Sequence, residues 1–371
     1  MPARPEGQPS ARTTRRLWVT RDFTPSDAAG ILALREATFG AVDKARLLPE
    51  VWRWQFLDNP AGRGWVRVAE HDGRIVGQYA AIPTRFRADG AERVLAMSCD
   101  TMTHPDYQRQ GMFVALAQEL YDALEQLGVP SVWGFPNAAS RPGFVGKLRW
   151  FDVHEFPTWV KPIRSRYVLE RYVHWAPLAR ALGAVGDAFY RLVTPRPRAP
   201  RRAAIRPLAA FDRRFEELWA RHADLARLVQ VRDAAFLRWR FSAVPAFGYE
   251  PFEVLVDGRL EGYVVLRVLT LFDLPFGAVV DLFPCPLVDD EVTREVLSFA
   301  QRHVTERGAA FLTALLPPRQ ERHLRAFGFV RVPRALNPRR WYLGGRCGPA
   351  EEAFFRDIAN WYITYGDSDI V

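Results

Sequence analysis

The chain has 371 residues, 49% of them apolar and 25% charged, with a formal net charge of +9; that length suggests two domains of about 100–200 residues each and a soluble globular protein. Three distant cysteines (Cys99, Cys285, Cys347) offer no metal-ligand spacing and an odd count for disulfides, so a reducing, cytoplasmic setting without a metal is expected. No run of about 18 apolar residues argues for a membrane span, and the charged N-terminus lacks the apolar core of a secretory signal.

Residues 1–16 read as a disordered basic tail, with Arg4, Arg12, Arg15 and Arg16, and order is expected from Leu17-Trp18-Val19 onward. Pro25 to Phe39 reads as a helix entered through Ser26-Asp27. Val66–Ala69, Ile75–Pro83 and Val94–Thr103 read as strands. Gly111 to Leu127 reads as a helix with Leu116, Leu120, Leu124 and Leu127 on one face, and Val132–Phe135 as a short buried strand. From about Arg171 to Val193, Trp175, Leu178, Leu182, Val185, Phe189 and Leu192 recur at helical spacing. That pattern fits a helix packed on the domains or, given its arginines, one lying on a membrane surface. A linker rich in Pro and Arg follows, from Thr194 to Pro207. The excess positive charge thus sits in a tail and a linker. It reads either as solvated disorder or as a peripheral contact with an anionic surface. No recognition motif accompanies it, so no nucleic acid partner is expected.

The two halves repeat each other. Trp54-Gln55-Phe56 with Pro60 matches Trp239-Arg240-Phe241 with Pro245, and Asp72-Gly73-Arg74 with Gly77 matches Asp257-Gly258-Arg259 with Gly262. Each Asp-Gly-Arg lies between alternating apolar runs, a hairpin signal. Asp100 then pairs with Asp281, Pro105 with Pro286, and Leu148-Arg149-Trp150 with Phe327-Gly328-Phe329. The order and near-constant offset indicate a duplicated unit: 17–162, then a helix and linker over 163–204, then 205–347, then a C-terminal helix/strand segment over 348–371. Each unit is expected to be a mixed sheet covered by helices, an α/β (mixed α+β) architecture. At the end of the chain, Trp361-Tyr362-Ile363-Thr364-Tyr365 reads as a strand docked where the units meet. It would bring Asp367 and Asp369 near an acceptor cleft.

The segment Thr103-His104-Pro105-Asp106-Tyr107-Gln108-Arg109-Gln110-Gly111-Met112-Phe113 lies between a predicted strand and a predicted helix. First-turn amides and the helix dipole favour an anion there, Gly111 removes a Cβ from its path, and Arg109 adds charge. An ordinary strand–helix turn is the competing reading. The segment resembles motif A of the GNAT acetyltransferase superfamily, [Arg/Gln]-x-x-Gly-x-[Gly/Ala] after a strand ending in Val-x-Pro. Gln108, Gly111 and Thr103-x-Pro105 fill those places, while Phe113 departs from the final small residue and must turn its ring into the fold. Asn137-x-x-Ser140 and Leu148-Arg149-Trp150 resemble the family's Asn-x-x-Ala and Leu-Gly-Phe features. Gly134-Phe135-Pro136-Asn137, Trp-Arg-Phe and Tyr365-Gly366-Asp367-Ser368-Asp369 resemble a bacterial double-GNAT subgroup often associated with surface-polysaccharide pathways.

The resemblance implies acetyl-CoA as co-substrate, held by Met102, Thr103, Gln108, Arg109, Gln110, Gly111, Met112, Phe113 and Asn137, and a small-molecule primary amine as acceptor. An amino sugar or polysaccharide precursor is one such acceptor. Asp100 is the acidic candidate for binding an ammonium or acting as base, with a structural hydrogen-bonding role as the alternative, and His104 could relay a proton. Cys99 is expected on the opposite strand face, as a core thiol. The family's thiolate-protonating Tyr is replaced by Phe144 or Val145, depending on the direction of counting. In the second unit Leu287-Val288-Asp289-Asp290-Glu291 stands in place of the loop, so that unit is expected not to hold coenzyme A. A non-catalytic acyl-CoA-binding scaffold and a FemAB-like aminoacyl transferase are the competing functions.

Overall fold

The computed structural model describes residues 17–164, 175–193, 202–271, 274–337 and 340–368. In the first unit the strands are β1 (Val19–Asp22), β2 (Trp65–His71), β3 (Arg74–Ala88), β4 (Ala91–Thr103), β5 (Val132–Gly134), β6 (Phe151–Phe156) and β7 (Trp159–Pro162). Its helices are α1 (Ala28–Phe39), α2 (Pro49–Phe56), α3 (Met112–Gln126) and α4 (Arg141–Lys147). Helix α5 (Ala176–Val193) precedes the second unit. That unit carries β8 (Ala203–Pro207), α6 (Arg213–His222), β9 (Leu228–Gln230), α7 (Ala234–Leu237), β10 (Glu250–Val256), β11 (Arg259–Leu271) and β12 (Leu274–Phe283). It continues with α8 (Cys285–Val288), α9 (Asp290–Glu306), β13 (Phe311–Ala314), α10 (Glu321–Ala326), β14 (Val330–Arg331) and β15 (Trp341–Arg346), and the chain ends on α11 (Pro349–Arg356) and β16 (Trp361–Tyr362).

The strands make two mixed sheets. One runs β1-β2-β3-β4-β5-β15-β6, the other β8-β10-β11-β12-β13-β7-β14. In each, the fifth strand is parallel to the fourth (β5 on β4, β13 on β12), and a strand antiparallel to its neighbours follows. The sixth place of each sheet is filled by the other half of the chain. Strand β7 leaves the first unit and pairs with β13 and β14, while β15 leaves the second and pairs with β5 and β6. The repeat seen in the sequence is therefore two interlocked sheets in which each unit gives its sixth strand to the other, and the second unit also lends β9 to the first sheet through β3.

Local chemistry explains the elements. The hairpins β2–β3 and β10–β11 turn on Asp72-Gly73 and Asp257-Gly258, all four residues at positive φ, which Asp and Gly tolerate best. Arg149 and Gly328, matched in the repeat, are both left-handed just before β6 and β14. Asp27 is the N-cap position of α1, within the Ser26-Asp27 entry the sequence suggests, but its side chain caps no amide of that helix; it reaches back to the N–H of Thr24, the N-cap of the preceding 3-10 turn Pro25–Asp27, at 2.7 Å. Arg21 hydrogen-bonds the Asp27 carboxylate and pulls its pKa down to about 2.

A pseudo-twofold relation joins the units at the Trp pair. Trp54 Nε1 donates to the Trp239 carbonyl at 2.7 Å, Trp239 Nε1 donates to the Trp54 carbonyl at 2.9 Å, and the rings stack at 4.8 Å. Residues in the same place of each repeat thus meet each other. One core cluster spans both units, from Ile31 and Trp52 through Phe86 and Trp133 to Tyr263 and Tyr362. The C-terminal rings are part of it: β16 pairs with β9, β9 pairs with β3, and Trp361, Tyr362, Ile363 and Tyr365 are buried. Asp367 is buried as well, whereas Asp369 lies outside the described residues.

Helix α5 departs from one expectation. Trp175, Leu178, Leu182 and Val185 are exposed, while Gly183 is buried, so the described part of the apolar face looks outward instead of packing on the domains. The side chains of Phe189 and Leu192, and residues Arg171 to His174, lie outside what is described. Among the described residues no helix is long and apolar enough to cross a membrane.

Candidate active site

Strand β4 ends at Thr103, paired with Gly77. The chain then makes a 3-10 turn over Pro105–Tyr107 and enters α3. Arg109 (φ 61°) and Gly111 (φ 79°) are left-handed, and Gly111 is the N-cap of α3. Gln108, Arg109, Gln110 and Gly111 are exposed. A Cβ added at Gly111 would meet nothing within 4 Å among the described residues, which leave the space beside this backbone open. The first bond of the helix runs from Ala115 N–H to the Gly111 carbonyl. The amides of Met112, Phe113 and Val114 therefore precede the helical ladder, at the positive end of a 15-residue helix. Open space, first-turn amides and the Arg109 charge together form a set that fits a diphosphate group.

The neighbouring side chains hold the loop rather than line it. Met112 is buried, and its Sδ lies where a Cβ on Gly77 would come within 2.2 Å, so a glycine in β3 lets the helix seat closely. Met102 is buried in the core, which leaves only its backbone for a ligand. The Phe113 ring turns inward against Phe144 (5.1 Å) and Tyr79 (5.9 Å), the orientation its place in the motif requires. Gln110 is tied to Trp18 at 3.3 Å. His104 Nδ1 accepts from the Asp106 N–H at 3.3 Å, so one ring nitrogen serves the turn. The Asn137 side-chain oxygen accepts from Ala139 N and Ser140 N at 3.0 and 2.8 Å, shaping the entry to α4.

On the opposite face of the sheet lies Asp100. The ladder between β3 and β4 shifts there, from Gln78↔Met102 to Ala80↔Cys99, and Asp100 takes φ 47°. Such a bulge bends the strand and leaves backbone out of register. The Asp100 carboxylate is bound by Arg35 at 2.6 Å and faces Arg46 at 3.5 Å. Its counterpart Asp281 is fully buried with Arg232 (3.3 Å), Tyr263 (2.7 Å) and Thr364 (2.8 Å). Cys99 is buried in the core and accepts a contact from Gln55 at 3.3 Å.

Phe144 is buried against Trp150 at 4.5 Å, and neither it nor Val145 carries a proton to give. Nearby phenols are occupied. Tyr79 and Tyr121 share a hydrogen bond of 2.6 Å, Ser98 donates to Tyr79 at 3.0 Å and Trp150 to Tyr121 at 2.8 Å. Burial pushes Tyr121 up to about 12 and Tyr79 well above the usual tyrosine range.

A cavity of about 460 Å³, part of it open to solvent, lies beside the Trp54–Trp239 contact. Its walls come from α2, β3, β4, the segment around Gln230–Tyr249 and the C-terminal Gly366–Ser368. The sequence pointed to Asp367 here but not to Gln230, which carries no local motif and reaches the cavity only because β9 adds to the end of β3.

In the second unit the corresponding helix start is filled. Asp289 caps α9, its Oδ1 accepting from Glu291 N and Val292 N at 2.9 and 3.0 Å, and Asp290 and Glu291 follow in the first turn. These residues do not fit a pyrophosphate.

Comparison with known proteins places this geometry. Residues 19–151 match the family model of an acetyltransferase (GNAT) domain. No curated protein matches the chain. Among solved structures, a probable N-acyltransferase from Enterococcus faecalis, described as a conserved protein of unknown function, is similar with 13% identity and a TM-score of 0.56. The match covers 80% of this chain, which spans 64% of that protein's length. A GCN5-related N-acetyltransferase from Anabaena variabilis is similar at 14% identity and a TM-score of 0.57, covering 88% of this chain and 72% of that one. Saccharomyces cerevisiae N-myristoyltransferase with bound myristoyl-CoA is similar at 13% identity and a TM-score of 0.60, covering 90% and 84%. Residues 19–151 thus match a GNAT domain, and the two tandem GNAT-like sheets share their fold with these structures.

Proposed function

We propose that the protein transfers an acetyl group from acetyl-CoA to a primary amine, with the first unit alone holding the co-substrate. The observation that carries this reading is the left-handed, open Gly111 at the start of α3, set against the Asp289 carboxylate at the start of α9. Bound acetyl-CoA supplies the activated acyl group. The Gly111–Val114 backbone and Arg109 hold its pyrophosphate, with Thr103, Gln108 and Gln110 beside them. The bulge at Asp100 offers backbone N–H groups of β4 to a developing oxyanion. Asp100 is held by Arg35 and Arg46 and fixes the bulge, which suits a positioning role better than that of a free base. His104 Nε2 is the proton-relay candidate, and water protonates the leaving thiolate, because Tyr79 and Tyr121 are buried and mutually bonded.

Calorimetry with acetyl-CoA should give one site per chain, and Gly111→Glu should abolish it, since a side chain at φ 79° is strained and a carboxylate there repels the phosphates. Two sites, or unchanged affinity in the variant, would overturn the reading. The missing thiolate donor favours a second reading, an acyl-CoA-binding scaffold. Mass-spectrometric detection of an acetylated amine across a panel that includes amino sugars separates the two.

We also propose peripheral contact with an anionic surface through α5. Its described apolar residues face outward, and residues 164–206 carry ten arginines against two acidic residues, Glu170 and Asp187.

A further inference from the structure

We propose that the cavity beside Trp54 and Trp239 binds the acceptor and selects a primary amine carried on a compact apolar framework, read by two buried hydrogen-bond acceptors, Gln230 and Asp367. The proposal rests on the acyl-transfer reading for the word acceptor, but the binding site stands on its own observations.

The first observation is a pair of unsatisfied atoms. Gln230 Oε1 and Asp367 Oδ1 are buried without a hydrogen-bond partner among the described residues, their residues are 5% and 3% exposed, and both residues line this cavity. An acceptor left unpaired in the interior costs about 1–3 kcal/mol. Two of them on one small cavity are explained by a ligand that brings N–H groups to both. The Asp367 carboxylate is rigidly aimed: its Oδ2 is fixed by Arg232 at 2.8 Å and by the Thr364 N–H at 2.8 Å, which turns Oδ1 to the remaining side. Gln230 is fixed through its backbone, whose carbonyl accepts from Arg232 at 3.0 Å and which pairs with Phe86 across β3 and β9.

The second observation is the wall. Trp54, Phe236, Trp239, Phe247 and Tyr249 present aromatic surface, with Met97 beneath. Aromatic faces attract a cation and accept an apolar body, whereas they leave hydroxyl groups unpartnered. The guanidiniums in the wall are engaged within the protein. Arg46 faces Asp100 at 3.5 Å, and Arg240 donates to the Gly366 and Ser368 carbonyls at 3.0 Å each and to the Tyr249 hydroxyl at 2.8 Å. An ammonium supplies three donors to a carboxylate and an amide oxygen. A sugar amine brings several hydroxyls that this wall cannot satisfy.

The test is calorimetric titration of the full chain, without acetyl-CoA, by 2-phenylethylamine, 2-phenylethanol and glucosamine. The amine should bind at one site, at least ten-fold tighter than either of the others. Gln230→Leu and Asp367→Asn should each weaken the amine at least ten-fold and leave acetyl-CoA affinity unchanged. If Asp367→Asn unfolds through loss of its Arg232 partner, Gln230→Leu decides alone, because its amide oxygen has no partner to lose among the described residues. Equal binding of the alcohol or of glucosamine, or an unchanged amine affinity in Gln230→Leu, overturns the proposal. Amine binding without any acetyl-CoA binding would sink the acyl-transfer reading and leave this site standing.

Discussion

The starts of α3 and α9 occupy the same place in two copies of one fold, and they differ by what fills the space before the first turn. At α3 a left-handed glycine leaves it open. At α9 the Asp289 side chain takes two of the orphan amides for itself, Arg202 approaches Asp289 and Glu291 at 3.5 Å, and Glu295 accepts the backbone N–H groups of Arg202 and Ala203. Both starts are well formed. An anion site is therefore a helix start deliberately left uncapped, and closing one takes a single carboxylate plus the basic chain that pairs with it. The second unit keeps the packing role: it supplies β15 to the first sheet, half of the Trp54–Trp239 contact and part of the cavity wall.

Separating the units breaks the comparison most severely. A fragment of residues 1–200 loses β15 and β9, leaving β5 and β6 without their shared partner and the Phe86 end of β3 uncovered. Unpaired edges of this kind drive aggregation. The fragment should be poorly soluble and show no cooperative unfolding by circular dichroism. A monomeric fragment that melts cooperatively and binds acetyl-CoA would show that the exchange of strands is dispensable.

A smaller effect sharpens the comparison at the exchanged strands themselves. Trp159-Val160-Lys161 of β7 and Gly344-Gly345-Arg346 of β15 fill the same sheet position, so the buried Lys161 stands where the other unit has Arg346, whose guanidinium reaches Glu125 at 3.2 Å. Burial pushes Lys161 down to about 8, although its ammonium donates to the Phe327 carbonyl and sits over the Phe327 ring at 3.6 Å. The folded protein therefore sheds this proton near pH 8, while the unfolded chain keeps it until its ordinary value near 10.5. Between those values the unfolded state binds more protons, so stability rises with pH across that window, and the penalty is fully in force below pH 8. Lys161→Leu removes that slope. Urea denaturation of both proteins at pH 7 and pH 10 should show their stability difference moving by on the order of 1–3 kcal/mol in favour of wild type at the higher pH. Parallel pH curves would mean that Lys161 is not penalised by burial.

What the sequence made legible follows from how local each signal is. The hairpins at Asp72-Gly73 and Asp257-Gly258, the duplicated Trp-x-Phe and the loop before α3 are each written in a few consecutive residues, because turns and helix starts are decided by their own backbone. Strand exchange is not written that way. Trp159-Val160-Lys161-Pro162 is the same short apolar strand whichever sheet it joins, and only the long-range core decides. Gln230 and Asp367 are likewise 137 positions apart in the sequence and meet through β9 and the C-terminal segment. The outward face of α5 could not be read either, since apolar residues at helical spacing describe a stripe and not what covers it.

The finest test returns to Asp289. Replacing it by alanine removes the acceptor for the Glu291 and Val292 amides, and loss of such a cap costs about 0.5–2 kcal/mol. Thermal and urea unfolding should show a loss of about 1 kcal/mol, with activity and acetyl-CoA affinity at the first unit unchanged. The variant should still bind only one acetyl-CoA. Two carboxylates, Asp290 and Glu291, remain in the first turn of α9, and Glu295 continues to hold the chain at Arg202 and Ala203. Opening the amides is then not enough, because their surroundings still carry the wrong charge for a phosphate. Asp289→Gly/Asp290→Asn/Glu291→Gln goes further and leaves a helix start without its own anions. A second, weak acetyl-CoA site in this triple variant, absent from Asp289→Ala, would show that charge alone separates the two units. No second site in either would place the remaining difference in the shape of the turn, where the left-handed Arg109 and Gly111 of the first unit have no counterpart at positive φ between Pro286 and Glu291.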